Sequence, residues 1–266
     1  MKKYIIIVLG VTWIVTALLF TNPQFAVDYV AIIMLVPFVV TLFFQKMEEK
    51  KTRKKLTILN HDYNMKAFLF GILYPSGFIL LCALVDFLVW HPAIKIVKKP
   101  VVWILMEMIT VLLGLLSSLF EEYGWRGYLL PHLCRQYGRK KSILITGVVW
   151  MLFHMPAVFL LTTVTRLGEP FEVCLVQAGV IFTLNIAFCY CYFLSDNIIP
   201  VIFFHSVWNT FNTSMLGDLY SGKQGMFQGK IFLMNGEGVM GLTIGAVTAY
   251  FIWMKMFPSR HKTQKG

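Results

Sequence analysis

The sequence contains few charged residues for its length. Aspartate, glutamate, lysine and arginine make up 14% of the 266 residues, whereas 58% are hydrophobic and the mean hydropathy is +0.69. A soluble domain carries about 25% charged residues, so this chain lacks the polar side chains that would cover a water-facing surface. The composition argues against a soluble enzyme, a nucleic-acid-binding module and a disordered chain. It indicates an integral membrane protein, with residues 1–266 forming one polytopic domain.

The patterns that mark common catalytic and disulfide-bonded classes are also missing. The five cysteines are odd in number and four lie in apolar runs, so they predict neither a disulfide framework nor a zinc finger. No serine nucleophile elbow and no His-Glu-x-x-His zinc helix occurs. A catalytic site must therefore be sought among the isolated polar residues of the apolar runs.

Apolar runs of membrane-spanning length dominate the chain. A bilayer core about 30 Å thick requires roughly 20 apolar residues in a helix. The runs cover residues 4–20, 29–45, 67–90, 101–120, 143–164, 174–194, 198–216 and 238–256. We expect an all-α bundle of about eight transmembrane helices. The seventh run is the least apolar, because His205, Asn209 and Asn212 interrupt it.

The basic residues predict an orientation for this bundle. The chain has 24 lysine and arginine residues against 13 acidic residues, a net charge of +11. With a cytoplasmic amino terminus, eighteen of the 24 fall on the cytoplasmic side, in residues 2–3, 46–66, 126–141 and after 254. Basic residues accumulate in cytoplasmic loops, so we expect both termini in the cytoplasm. Residues 95–99, which carry three lysines, are a local exception.

Three charged residues lie together at the end of the fourth run. Ionisable groups in hydrocarbon are costly, so each one is a functional hypothesis. Glu122 and Arg126 are four residues apart and share a helix face, whereas Glu121 points about 100° away from Glu122. The spacing predicts an ion pair beside a second, more reactive carboxylate. The alternative is a charge cluster that only marks the end of the span.

Two histidines and an asparagine occupy later runs. His154 lies within the fifth run, and His205 and Asn209 share a helix face in the seventh. A carboxylate and a neutral imidazole can deprotonate a water molecule, and a second imidazole and a carboxamide can donate to an oxyanion. We expect Glu121, His154, His205 and Asn209 to converge on a water-filled cavity open to the cytoplasm. Glu121, His154 and His205 are alternatively a zinc-ligand set.

At these residues the sequence resembles the CAAX protease and bacteriocin-processing family, also called the Abi family. The family pattern is Glu-Glu-x-x-x-Arg, then an aromatic residue four before a histidine, then His-x-x-x-Asn. Here the motifs begin at Glu121, Trp150 and His205, in the family's order. The similar region is residues 100–216, which we expect to be the protease core. Trp150 stands where the family usually has phenylalanine, a change expected to affect the shape of the pocket more than the chemistry.

The resemblance implies an all-helical intramembrane endopeptidase, and the compact form and basic loops of the chain indicate the bacterial cytoplasmic membrane. Carried over by position, Glu121 and His154 activate the water, His205 and Asn209 stabilise the oxyanion, and Glu122 and Arg126 support the first motif. The family is described both as metalloproteases and as metal-free glutamate enzymes, and we favour the metal-free version, with zinc as the alternative. The implied partners are the lipid bilayer and a peptide or membrane-protein substrate, either a bacteriocin or peptide precursor or a CAAX-type protein. No pattern indicates nucleic acid or an oligomeric state.

Two other functions are compatible with the sequence. The first is a non-proteolytic immunity or scaffold protein of the same fold, which the presence of every motif residue disfavours. The second is a small proton-coupled transporter in which Asp86 and Glu107 form a proton relay. The absence of an inverted repeat between the two halves disfavours the transporter.

Overall fold

The structure is a computed structural model that describes residues 1–53, 58 and 64–258. The described residues form ten α-helices, with a short 3-10 helix at Val30–Met34 and a π-helix at Trp125–Leu129. The α-helices are α1 Lys2–Leu19, α2 Pro23–Tyr29, α3 Leu35–Thr52, α4 Met65–Trp90, α5 Pro100–Gly124, α6 Leu130–Thr165, α7 Pro170–Phe193, α8 Ile199–Leu216, α9 Ile231–Met234 and α10 Val239–Met256. Two short strands, β1 Ala93–Ile94 and β2 Phe227–Gln228, pair antiparallel.

The fold is a polytopic helical membrane bundle, as the sequence predicts. By length and composition, six helical segments of the described chain are able to cross a membrane. They are Lys2–Leu19, Pro23–Thr52, Met65–Trp90, Pro100–Thr165, Pro170–Phe193 and Ile231–Met256. The longest has 66 residues and contains the fourth and fifth predicted spans. The seventh predicted span is α8, which lies outside these six segments because polar side chains interrupt it.

Large apolar side chains remain exposed on the outside of the bundle. Ile6 of α1, Leu113 of α5 and Phe251 of α10 are 69%, 74% and 65% exposed. Soluble monomers rarely expose contiguous apolar surfaces of this kind, so these helix faces suit contact with lipid chains.

The basic segment 126–141 is helical on both sides of one break. Gly138 has φ 74° and ψ 165° inside α6, a conformation essentially restricted to glycine. The chain therefore runs as a helix from Pro100 through the π-helix to Gly138 and continues as a second helix to Thr165. This break separates the fourth and fifth predicted spans.

Helix direction divides the bundle into two ends. The basic end holds the start of α1, the end of α3, the break at Gly138 and the end of α10, with most of the described lysines and arginines. Of the eighteen residues assigned to this side, Lys54, Lys55, Arg260, Lys262 and Lys265 lie outside the described residues. The opposite end holds the end of α1, the starts of α3 and α5 and the ends of α6 and α8. Strands β1 and β2 join two connections at this opposite end.

Helix α8 lies between α4 and α5, and α6 packs on α7. The close approach of α4 and α8 depends on a glycine, which has no side chain. A Cβ atom at Gly71 of α4 would lie 2.4 Å from the carbonyl oxygen of Pro200 in α8. The contact of α8 with α5 brings the third motif next to the first.

Candidate active site

The first motif contains a buried ion pair. Arg126 donates through Nη1 to both carboxylate oxygens of Glu122, at 3.0 Å each. Its Nη2 donates to Asn185 Oδ1 at 3.1 Å, and the guanidinium lies 4.2 Å from the ring centroid of Trp150 and 4.6 Å from that of Phe188. Glu122 and Arg126 are fully buried. The pair predicted from the spacing of four is thus present, and Asn185 on α7 fixes the far side of the guanidinium.

Glu122 also connects the first motif to the third. Its Oε1 lies 2.8 Å from Nδ1 of His205. A carboxylate accepts hydrogen bonds, so Nδ1 of His205 carries the proton and Nε2 is the atom left for other partners. Asn209 lies one turn further along α8 and lines the same cavity as His205. In the described part of the chain, no side-chain hydrogen bond occupies the amide of Asn209.

Glu121 faces the second motif. Trp150 donates from Nε1 to Glu121 Oε2 at 3.0 Å. The other oxygen, Oε1, lies 3.7 Å from Nε2 of His154. Nδ1 of His154 lies 3.0 Å from the carbonyl oxygen of Trp150, and a carbonyl only accepts. In the neutral imidazole, Nε2 therefore carries the lone pair that faces Glu121.

Trp150 has a larger role than its sequence position indicates. The change from phenylalanine was expected to alter the shape of the pocket. The indole instead supplies a hydrogen bond to Glu121 that a phenylalanine ring is unable to make. An indole in an apolar run ordinarily packs in the core, so the sequence contains no signal for this contact.

One cavity of about 320 Å³ is lined by Glu121, His154, His205 and Asn209. The structure therefore brings the four predicted catalytic residues to one space. Glu122 and Arg126 stand behind it, since neither lines the cavity. The charged network of the first motif thus supports the floor of the cavity from within the protein.

The cavity reaches the surface at the opposite end of the bundle. Its exposed lining residues are Asp28 of α2, Ala31 of the 3-10 helix and Thr213 in the last turn of α8. The sequence predicted cytoplasmic basic helix ends together with a cavity open to the cytoplasm. In this structure those two expectations exclude one another, because the mouth lies away from the basic end.

Several polar residues of the cavity wall were not singled out from the sequence. Glu237, at the start of the last span, accepts from Trp208 Nε1 at 3.2 Å and from Gln177 Nε2 at 2.9 Å. Gln177 Nε2 also donates to the hydroxyl of Tyr220 at 2.8 Å. Asp218 lies beside them in the lining. The sequence feature that could have identified Glu237 is its position as a carboxylate between two apolar helices.

The metal-ligating groups differ in one member from the set predicted from the sequence. Among the described residues, Glu121, Glu122 and His205 each offer a ligand atom within 4.8 Å of the others. Carboxylate and imidazole are suitable zinc ligands. Arg126, however, already binds both oxygens of Glu122, and His205 Nδ1 binds Oε1. This group does not fit a metal without loss of the Glu122–Arg126 pair.

The two acids of the transporter hypothesis lie outside this cavity. Asp86 of α4 is fully buried, and neither carboxylate oxygen has a hydrogen-bond partner in the described part of the protein. Glu107 of α5 accepts from the Ser214 hydroxyl at 2.6 Å. Neither acid lines the cavity that holds the motif residues.

The fold and the site define a class of protein: a helical membrane bundle with carboxylates, imidazoles and a carboxamide around an internal cavity. Residues 102–211 match the family described as Rce1-like, type II CAAX prenyl endopeptidase. This match contains all three motifs and confirms the family resemblance. Over 45 residues the chain is 42% identical to CAAX prenyl protease 2 of Methanococcus maripaludis. That alignment covers 17% of this chain and 17% of the relative.

Proposed function

We propose that the protein is an intramembrane endopeptidase that hydrolyses a peptide bond of a membrane-associated peptide or protein. The observation that carries this proposal is the single cavity lined by Glu121, His154, His205 and Asn209. The family matched by residues 102–211 supports a protease. Burial of ionisable groups in a membrane bundle is energetically costly, so their presence together indicates a function.

In the proposed mechanism, Glu121 and His154 hold one water molecule. The 3.7 Å between Glu121 Oε1 and His154 Nε2 is long for a direct hydrogen bond and fits two groups that share a water. Glu121 takes a proton from this water as its oxygen attacks the carbonyl carbon of the scissile bond. A C–O bond forms, and the carbonyl oxygen becomes an oxyanion. Protonated Glu121 then gives the proton to the leaving nitrogen as the C–N bond breaks.

In the proposed mechanism, His205 and Asn209 stabilise the oxyanion. Asn209 donates through its amide, and protonated His205 donates through Nε2 while Nδ1–H stays on Glu122. Arg126 balances the charge of Glu122, so a protonated His205 leaves this group with net positive charge beside the developing oxyanion. Such fixed donors in a site shielded from water are usually the largest catalytic contribution.

The mechanism uses no metal in the version we favour. Zinc remains the alternative, and Glu121, His154 and His205 would then be the candidate ligands. Chelator treatment followed by zinc addition separates the versions. Loss of cleavage that zinc restores contradicts the metal-free version, whereas unchanged cleavage supports it.

The test of the activity is a comparison of variants in lipid nanodiscs. A library of membrane-associated peptides is incubated with the protein, and new termini are identified by mass spectrometry. We expect defined cleavage by the wild type and none by Glu121→Gln, which keeps the shape of the side chain. Glu107→Gln on the same helix is the matched control and should cleave. Products that persist in Glu121→Gln would contradict the proposal.

We infer that the cavity opens on the extracytoplasmic face. The basic end carries the residues that mark cytoplasmic loops, and the mouth at Asp28 and Thr213 lies at the other end. The substrate bond would then reach Glu121 from outside the cytoplasm or from the outer part of the bilayer. This replaces the expectation of a site open to the cytoplasm.

A further inference from the structure

Apart from His154 and His205, the charged groups in the wall of the active-site cavity are carboxylic acids. Its described lining includes four carboxylic acids, Asp28, Glu121, Asp218 and Glu237, and contains no lysine or arginine. Arg126, the nearest cation of the motifs, is committed to Glu122 and Asn185 and lies behind the lining. A bound molecule therefore meets carboxylic acids both at the mouth and at the floor, where His154 and His205 also line the cavity.

Glu237 and Gln177 form a built acceptor site in this wall. The carboxylate of Glu237 accepts from Trp208 on one oxygen and from Gln177 on the other. Because a carboxylate only accepts, the amide of Gln177 must present its NH₂ group to Glu237. This orientation leaves Gln177 Oε1 with no hydrogen-bond partner in the described structure. The residue is only 1% exposed, so bulk water does not replace the missing partner.

An unpartnered buried acceptor beside a carboxylate favours a ligand with several donors and positive charge. A lysine ammonium has three N–H donors and a guanidinium has five, and neither accepts. Either group, or a free amino terminus, would satisfy Gln177 Oε1 and offset the charge of Glu237. Charge-assisted hydrogen bonds of this type are stronger than neutral ones.

The remaining wall is apolar, so it favours apolar residues next to the cationic group of a bound peptide. Ile181, Leu184 and Phe188 of α7 line the cavity opposite α8. We propose that the cavity binds a peptide segment in which a lysine, an arginine or a free amino terminus stands beside apolar residues. This inference rests on the proposed endopeptidase function and names the substrate class of the same site.

The experiment measures peptide binding without cleavage. Glu121→Gln protein in nanodiscs is titrated with three fluorescent peptides that have acetylated and amidated ends. They share one apolar sequence and carry lysine, norleucine or glutamate at a single central position. Binding to empty nanodiscs is subtracted, because the peptides partition differently into lipid. We expect the lysine peptide to bind about tenfold more tightly than the norleucine peptide, and the glutamate peptide to bind most weakly.

A second substitution assigns this preference to Glu237. In Glu121→Gln/Glu237→Gln the lysine and norleucine peptides should bind alike, whereas Glu121→Gln/Glu107→Gln should keep the preference. The Asp28→Asn substitution at the exposed rim should reduce the preference without disturbing the packed interior, which guards against misfolding of the Glu237 variant. Equal binding of lysine and norleucine peptides to the parent protein would overturn the inference. So would a preference that survives in both the Glu237 and the Asp28 variants.

The outcomes also separate this inference from the proposed function. A lysine preference in a protein that cleaves no peptide would refute the endopeptidase and leave a binding site for cationic peptides. Cleavage of library peptides with no basic residue near the cut bond would leave the endopeptidase and refute the substrate class.

Discussion

The two carboxylate oxygens of Glu121 have different neighbours. Trp150 donates to Oε2, and Oε1 is left to face His154. The indole thus orients the carboxylate so that one oxygen points at the place where a water would be shared. Trp150 is therefore a positioning residue, since it acts through Glu121.

We expect Trp150→Phe to lower kcat about tenfold while KM stays nearly constant, because one neutral hydrogen bond to the base is lost. Steady-state cleavage of one defined peptide measures this. The control is Trp125→Phe, since the Trp125 indole nitrogen is buried without a hydrogen-bond partner in the described structure. Equal kcat values for wild type and Trp150→Phe would remove the indole from the mechanism.

The Glu122–Arg126 pair gives a prediction about stability. Arg126→Ala leaves a fully buried carboxylate with one cation fewer, and loss of one partner of a buried pair costs about 3–5 kcal/mol. Thermal unfolding in detergent should show a clear loss of stability, and activity should fall with it. Arg135→Ala, at an exposed position, should change neither. An Arg126→Ala protein as stable and active as the wild type would contradict the structural role of the pair.

At the scale of elements, the helical segment Pro100–Thr165 carries the first two motifs and positions their side chains. The π-helix Trp125–Leu129 begins three residues after Glu122 and contains Arg126, and such insertions are frequent at functional sites. The break at Gly138 then returns the chain so that His154 of α6 faces Glu121 of α5. Hydropathy located the two spans but not this break, because Gly138 lies in a polar segment where no apolar periodicity exists.

Gly138→Ala should reduce the free energy of unfolding by about 1–3 kcal/mol, because the backbone there suits only glycine. Space is not the reason, since an added Cβ at Gly138 would meet nothing within 4 Å. Gly77→Ala is the matched control: it also meets nothing within 4 Å, but its backbone is helical. This control should be neutral or slightly stabilising. The same loss in both variants would contradict the conformational explanation.

At the scale of the whole molecule, hydropathy predicted most of the fold. Runs 4–20, 67–90 and 174–194 correspond closely to α1, α4 and α7. The motif residues were recognisable because ionisable groups are conspicuous in hydrocarbon. Glu237 and Gln177 were not, since their significance depends on contacts between α7, α8 and the start of α10 that spacing does not reveal.

The direction of the cavity gives a prediction about topology. In a Cys134→Ser background, Asp28→Cys should react with a membrane-impermeant maleimide added to intact cells, because Asp28 is exposed at the mouth. Lys140→Cys at the basic end should react only after the membrane is made permeable. Mass-shift gels measure both reactions. The reverse pattern would place the mouth in the cytoplasm and contradict the extracytoplasmic opening.

The central claim is that Glu121 and His154 activate one water molecule together. Its most direct test is the single-turnover cleavage rate of a defined peptide by Glu121→Gln, His154→Gln and the double variant. Residues that act as a unit have strongly non-additive effects. We expect each single substitution to lower the rate at least about 100-fold, and the double variant to be little slower than the slower single variant. Cleavage by Glu121→Gln at the wild-type rate, or losses that multiply in the double variant, would contradict the account.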